Sequence, residues 1–179
     1  MPQANLSGVC DYCDCRELAP IKELSDEHER ISTLAAELRR RVESGQATGA
    51  TLASLQAALG PHLAKEEAGL FAELARRPGF EQYLAELLGD HEQARATLLA
   101  FPPAASAPAP AVLGALDDLA RHIETEEYDL FPASRMILDD AGWHDVQVAH
   151  RRADAHAAAG SSGGRGAGRR ADATGTAGS

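Results

Sequence analysis

The sequence predicts an all-α protein, an antiparallel up-down-up-down four-helix bundle with a short cysteine-bearing N-terminal arm and a disordered C-terminal tail. Three observations predict it. Hydrophobic residues make up 44% of the chain, mostly Ala and Leu, while Val and Ile are scarce and aromatics reach only 4%. That composition suits helices packed on helices and disfavours a sheet. Four stretches repeat apolar residues at the spacing of a helix face, and short breaks separate them, so consecutive helices should lie antiparallel. A chain of 179 residues is long enough for one domain with one sizeable core.

Residues 1–18, ending in CDYCDCREL, form the irregular arm. Residues 19–150 form the bundle. Pro20 suits the first turn of a helix, and Ile21, Leu24, His28, Ile31, Ala35 and Leu38 follow at helical spacing. Gly45 and Gly49 break the pattern. The second stretch runs from about Thr51 to Arg76 with Leu52, Leu55, Leu59, His62, Glu66 and Leu70 on one side, and Pro78-Gly79 ends it. The third, Phe80 to Ala100, carries Leu84, Leu87, His91, Ala94 and Leu98. The proline-rich Phe101–Pro110 is a loop. The fourth begins near Ala111 with Leu116, Leu119, His122, Ile123, Glu126 and Leu130, and Pro132 predicts a kink or break. Residues 133–150 add a short helix anchored by Trp143. Residues 151–179 are Gly, Ala, Ser and Arg with little to bury, the composition of a disordered tail.

Charge narrows the function classes. The net charge is −10; residues 151–179 carry five Arg and two Asp, a net +3, which leaves −13 on residues 1–150. An acidic body does not suit a phosphate backbone, so no nucleic-acid partner is expected. No apolar run approaches the roughly 20 residues of a membrane helix, and MPQANLSGVC lacks the basic and apolar regions of a signal peptide, so a cytoplasmic protein is expected.

Two segments of the chain match. His62-Leu-Ala-Lys-Glu66-Glu67-Ala-Gly-Leu70-Phe71 aligns with His122-Ile-Glu-Thr-Glu126-Glu127-Tyr-Asp-Leu130-Phe131. A weaker echo pairs Glu27-His28-Glu29 with Asp90-His91-Glu92. The chain reads as two helical hairpins, each giving one His from its first helix and a His-x-x-x-Glu from its second. Residues four apart differ by about 40° on a helix, so His62 and Glu66 reach one small volume, as do His122 and Glu126. A lone histidine on an apolar stripe is ordinarily a core residue, and a Glu-Glu pair is ordinarily surface. Here four His and two Glu all fall on inward positions, in a repeated motif, and burying them unpaired would cost several kcal/mol per charge. A metal pair removes that cost. Imidazole and carboxylate without thiolate suit iron, and manganese or zinc after it. Glu67 and Glu127, about 100° round the helix, are expected mainly at the surface, the alternative being support of the ligands from behind. Tyr128 is expected to pack, and His144, His150 and His156 show no ligand spacing.

At these residues the sequence resembles the hemerythrin-like (HHE cation-binding) family over about residues 20–135. The resemblance implies that Glu66 and Glu126 bridge two iron ions, with His28 and His62 on one and His91 and His122 on the other. Oxygen-carrying hemerythrins have a further His where this chain has Arg95, and they space the last carboxylate one residue further from its His. The reduced ligand set argues against reversible oxygen carriage. It is associated with peroxide breakdown, nitric oxide chemistry, and iron or oxygen sensing. The expected protein is therefore a di-iron oxidoreductase consuming peroxide or nitric oxide, or handling dioxygen. The alternatives are a sensor or binding module without turnover, and a metal store.

Cys10, Cys13 and Cys15 form a separate motif. A Cys-x-x-Cys pair serves as a redox couple or as half a metal site, but three thiols lack the fourth ligand of a closed tetrahedral site. Asp11 and Asp14 oppose thiolate formation. A redox or metal role for these thiols and free thiols remain two alternatives.

Overall fold

The computed structural model describes residues 17–102 and 109–163, which form five helices and no strand. Helix α1 is Ala19–Glu43. Helix α2 spans residues 49–74, as Gly49–Glu66, a π-helical turn Glu67–Phe71 and a last turn Ala72–Leu74. Helix α3 is Glu81–Ala94 followed by a π turn Arg95–Leu99. Helix α4 is Ala109–Thr125, a π turn Glu126–Leu130 and Phe131–Ile137. Helix α5 is Asp140–Gly163. Among the described residues no helix is long and apolar enough to cross a membrane.

Local chemistry explains the boundaries. Pro20 sits in the first turn of α1, where its missing N–H would have had no partner. At the other end Ser44 N–H returns to the Arg40 carbonyl at 3.1 Å, and Gly45 takes the left-handed φ of +65° that stops the helix. Gln56 on α2 donates to the carbonyls of Leu98 and Phe101 at 2.8 and 2.7 Å, which satisfies acceptors at the end of α3.

Pro132 does not break α4. It stands in the first turn after the π segment, where the regular hydrogen-bond ladder is already interrupted, so the helix runs on to Ile137. Helix α4 also starts two residues before the expected Ala111, with Pro110 in its opening turn. The tail is shorter than the sequence predicts. Residues 151–163 continue α5, because RADAHAAA is rich in the strongest helix former. The arm with Cys10, Cys13 and Cys15 lies outside the described residues, as do residues 164–179.

The apolar interior is two clusters. One gathers Ile21 and Leu24, Leu70 and Phe71, Leu84 and Leu87, Leu130 and Phe131, with Trp143 and Val146 of α5. The other gathers Ile31 and Leu38, Leu55 and Leu59, Leu98, and Leu116 and Leu119. Helices α1 and α3 pass from the first cluster to the second, and α2 and α4 pass from the second to the first. The stretch of each helix between the clusters carries the polar residues His28, His62, Glu66, His91, His122 and Glu126, all buried.

Candidate metal centre

The six side chains meet in that layer. His28 Nε2 lies 3.4 Å from Glu66 Oε1 and 3.1 Å from Glu126 Oε2. His62 Nε2 is 3.1 Å from Glu66 Oε1. His91 Nε2 is 3.3 Å from Glu66 Oε2, and His122 Nε2 is 3.3 Å from Glu126 Oε2. The Nε2 atoms of His91 and His122 are themselves 3.1 Å apart. Two four-residue groups result, His28-His62-Glu66-Glu126 and Glu66-His91-His122-Glu126, each with its donor atoms within 4.8 Å of one another. Both carboxylates belong to both groups.

The π turns help to build this arrangement. Along an α-helix a step of four residues overshoots one turn by about 40°. His62, Glu66 and Leu70 are four apart in series, as are His122, Glu126 and Leu130, so a regular helix would carry the last member off the inward face. In each series the wider π turn begins at or directly after the carboxylate and takes the drift back, and Leu70 and Leu130 are fully buried.

The residues fit a pair of cations. Nε2 of His28 and His62 and all four oxygens of Glu66 and Glu126 are buried without a hydrogen-bond partner. Such orphaned atoms are costly unless something else satisfies them. Metal–ligand bonds of about 2.1 Å set neighbouring ligand atoms about 3 Å apart, which is the spacing found. Electrostatics agree. Burial opposes the charged form of His28, yet the surrounding Glu126, Glu127 and Glu66 hold its pKa well above the usual value. Burial likewise opposes His62, but Glu66 and Glu27 push it up to about 8. Burial alone would raise the pKa of Glu66, yet His62, His28 and His91 hold it well below the usual carboxylate range. The pocket thus keeps its carboxylate ionised and attracts positive charge. Metal binding to such a set releases protons from the imidazoles.

A second layer of carboxylates orients the imidazoles. His28 Nδ1–H donates to Glu127 Oε1 at 2.8 Å, His62 Nδ1–H to Glu27 Oε2 at 2.9 Å, and His91 Nδ1–H to Glu67 Oε1 at 2.7 Å. A carboxylate only accepts, so each of these rings carries a proton on Nδ1 and points Nε2 inward, where its lone pair becomes available once the ring is neutral. Glu67 is also held by Arg95 Nη2 at 2.7 Å. These contacts give Glu67 and Glu127 the alternative role, behind the ligands, instead of the main expectation of a surface position. A 100° turn takes each off the inward face of its own helix and onto the histidine of a neighbouring one. The sequence held a signal for this, since an acid stands beside each lone His and each inward Glu.

His150, which shows no ligand spacing in the sequence, is buried. Its Nδ1–H donates to Glu23 Oε2 at 3.1 Å, and its ring rests against Gly69, where an added Cβ would come within 2.7 Å of Cδ2. Beside it Lys65, only 3% exposed, reaches Glu23 at 2.6 Å, Glu27 at 2.5 Å and Asp154 at 2.8 Å. The spacing of Trp143, Val146, His150 and Asp154 along α5 could have revealed this face. Tyr128, expected to pack, is 54% exposed.

A family model described as the hemerythrin HHE cation binding domain matches residues 19–134, which contain all six inward residues and stop short of α5. No curated protein and no solved structure matches the chain.

Proposed function

The chain belongs to the hemerythrin HHE cation-binding domain family, and on that premise we propose that it holds two iron ions and handles peroxide, nitric oxide or dioxygen at them. Glu66 and Glu126 bridge the pair, His28 and His62 complete one position, and His91 and His122 complete the other. The observation that carries this reading is the divided loyalty of Glu66, whose Oε1 faces His28 and His62 while its Oε2 faces His91. The opposite order in which consecutive helices cross the two apolar clusters supports an antiparallel up-down-up-down packing of α1 to α4 around the pair.

An iron pair supplies Lewis acidity and electrons to a small bound molecule. The protein supplies the rest. Glu27, Glu67 and Glu127 fix the tautomer and direction of three imidazoles. Apolar clusters on both sides of the ligand layer exclude bulk water. Four imidazoles, with Arg95 drawn onto Glu67 instead of offering a fifth, leave coordination positions for an exogenous molecule.

Metal analysis of protein expressed in iron-sufficient medium, with its near-ultraviolet spectrum, tests the centre. Two irons per chain and ligand-to-metal bands are expected. One iron or none, with zinc in its place, overturns the reading. Steady-state assays with hydrogen peroxide and nitric oxide then test turnover, and bound iron without catalysis would assign the protein to sensing or storage.

A further inference from the structure

Glu27 and Asp90 occupy equivalent places in the repeat. Each directly precedes the lone histidine of its hairpin, and each faces Nδ1 of the histidine on the next helix. Glu27 reaches His62 at 2.9 Å. Asp90, one methylene shorter, comes only to 3.4 Å of His122, and that Nδ1 is buried with no hydrogen-bond partner. Where Asp90 falls short, a cleft of about 150 Å³ opens, lined by Asp90, Gln93, Asp118, Arg121 and His122. Beside His62, by contrast, Lys65 clamps Glu27 and α5 lays Asp154 over Lys65.

We propose that the two metal positions are unequal: the His91/His122 position exchanges its ion with solvent through this cleft, while the His28/His62 position retains its own. The length difference between Glu27 and Asp90 sets the inequality. Both act as positioning residues, one firmly holding an imidazole and the other leaving its counterpart free to swing off the ion. A ligand that is not fixed from behind dissociates more readily, and second-layer changes shift metal affinity by about 10- to 100-fold. This inference rests on the reading of the centre as a two-ion site.

The test loads the full chain with iron(II) without oxygen, removes the excess and mixes it with a large excess of a coloured iron(II) chelator. Two phases of equal amplitude are expected, separated by about tenfold or more in rate. Asp90→Glu should slow the fast phase and leave the slow one unchanged. Glu27→Asp should speed the slow phase, and it gives an independent arm should the longer residue at 90 not be accommodated. His122→Ala should lose only the fast-leaving ion and His62→Ala only the slow one. A single phase from doubly loaded protein, or phases that ignore both length changes, overturns the inequality while leaving the two-ion site intact. Loading that never reaches two ions per chain overturns both.

Discussion

Behind His62 stands a connected set of charged groups, Glu27, Lys65, Glu23 and Asp154, with His150 at its edge. Behind His122 stands one aspartate that makes no hydrogen bond to it. The two histidines come from the same repeated motif and are almost equally buried. Their support differs because the residues between the ligands differ. Lys65 has Thr125 as its counterpart, Glu27 has Asp90, and Gly69, which admits His150, has Asp129. A duplicated ligand pattern thus specifies two similar pockets while leaving their rigidity to residues the pattern does not include.

Glu66 faces both ends, so Glu66→Ala should take iron below one per chain and abolish turnover, as measured by metal analysis and steady-state assay. Next come substitutions that strike one end each. Glu67→Ala should weaken binding at the His91 position, and Glu127→Ala at the His28 position, each by about 10- to 100-fold in chelator competition. Equal loss at both positions in either variant would mean that the pairing across helices is wrong. Smaller still is the loss of the support behind His62. Lys65→Met should cost about 1–3 kcal/mol in denaturant unfolding of metal-free protein, because it strands Glu23 and Glu27 beside one another. Gly69→Ala should cost a similar amount by forcing the His150 ring aside. Thr125→Ala, at the counterpart of Lys65, should stay within about 0.5 kcal/mol, and a matching loss there would erase the contrast. Comparably small is Arg95→Ala, whose ion pair with Glu67, about one-third exposed, should be worth about 0.5 kcal/mol, read from the same unfolding curves.

The helices and the six inward residues were legible because both rest on periodicity. A His and a Glu four apart must share a helix face, and the motif occurs twice. Roles that depend on a second helix were not legible. Glu67 and Glu127 lie off the inward face of their own helix, and only the neighbour's position turns that sideways direction into a contact with an imidazole. The π turns left no mark in composition, and without them Pro132 read as a kink or a break. His150 was passed over because it lies outside the repeat, although the stripe of Trp143 and Val146 leads to it. Residues 151–163 read as tail because they bury little, whereas alanine content was enough to prolong a helix already docked through Val146 and His150.

The split interior carries a consequence for folding. Each of the first four helices crosses from one oily lobe to the other through a layer that contributes no apolar cohesion. Stripped of cations, that layer is a seam of buried donors and acceptors left without partners, and the joint between the lobes is weaker for it. Filled, the same layer would become a rivet through all four helices, and cations that bind only the folded chain should raise its melting temperature.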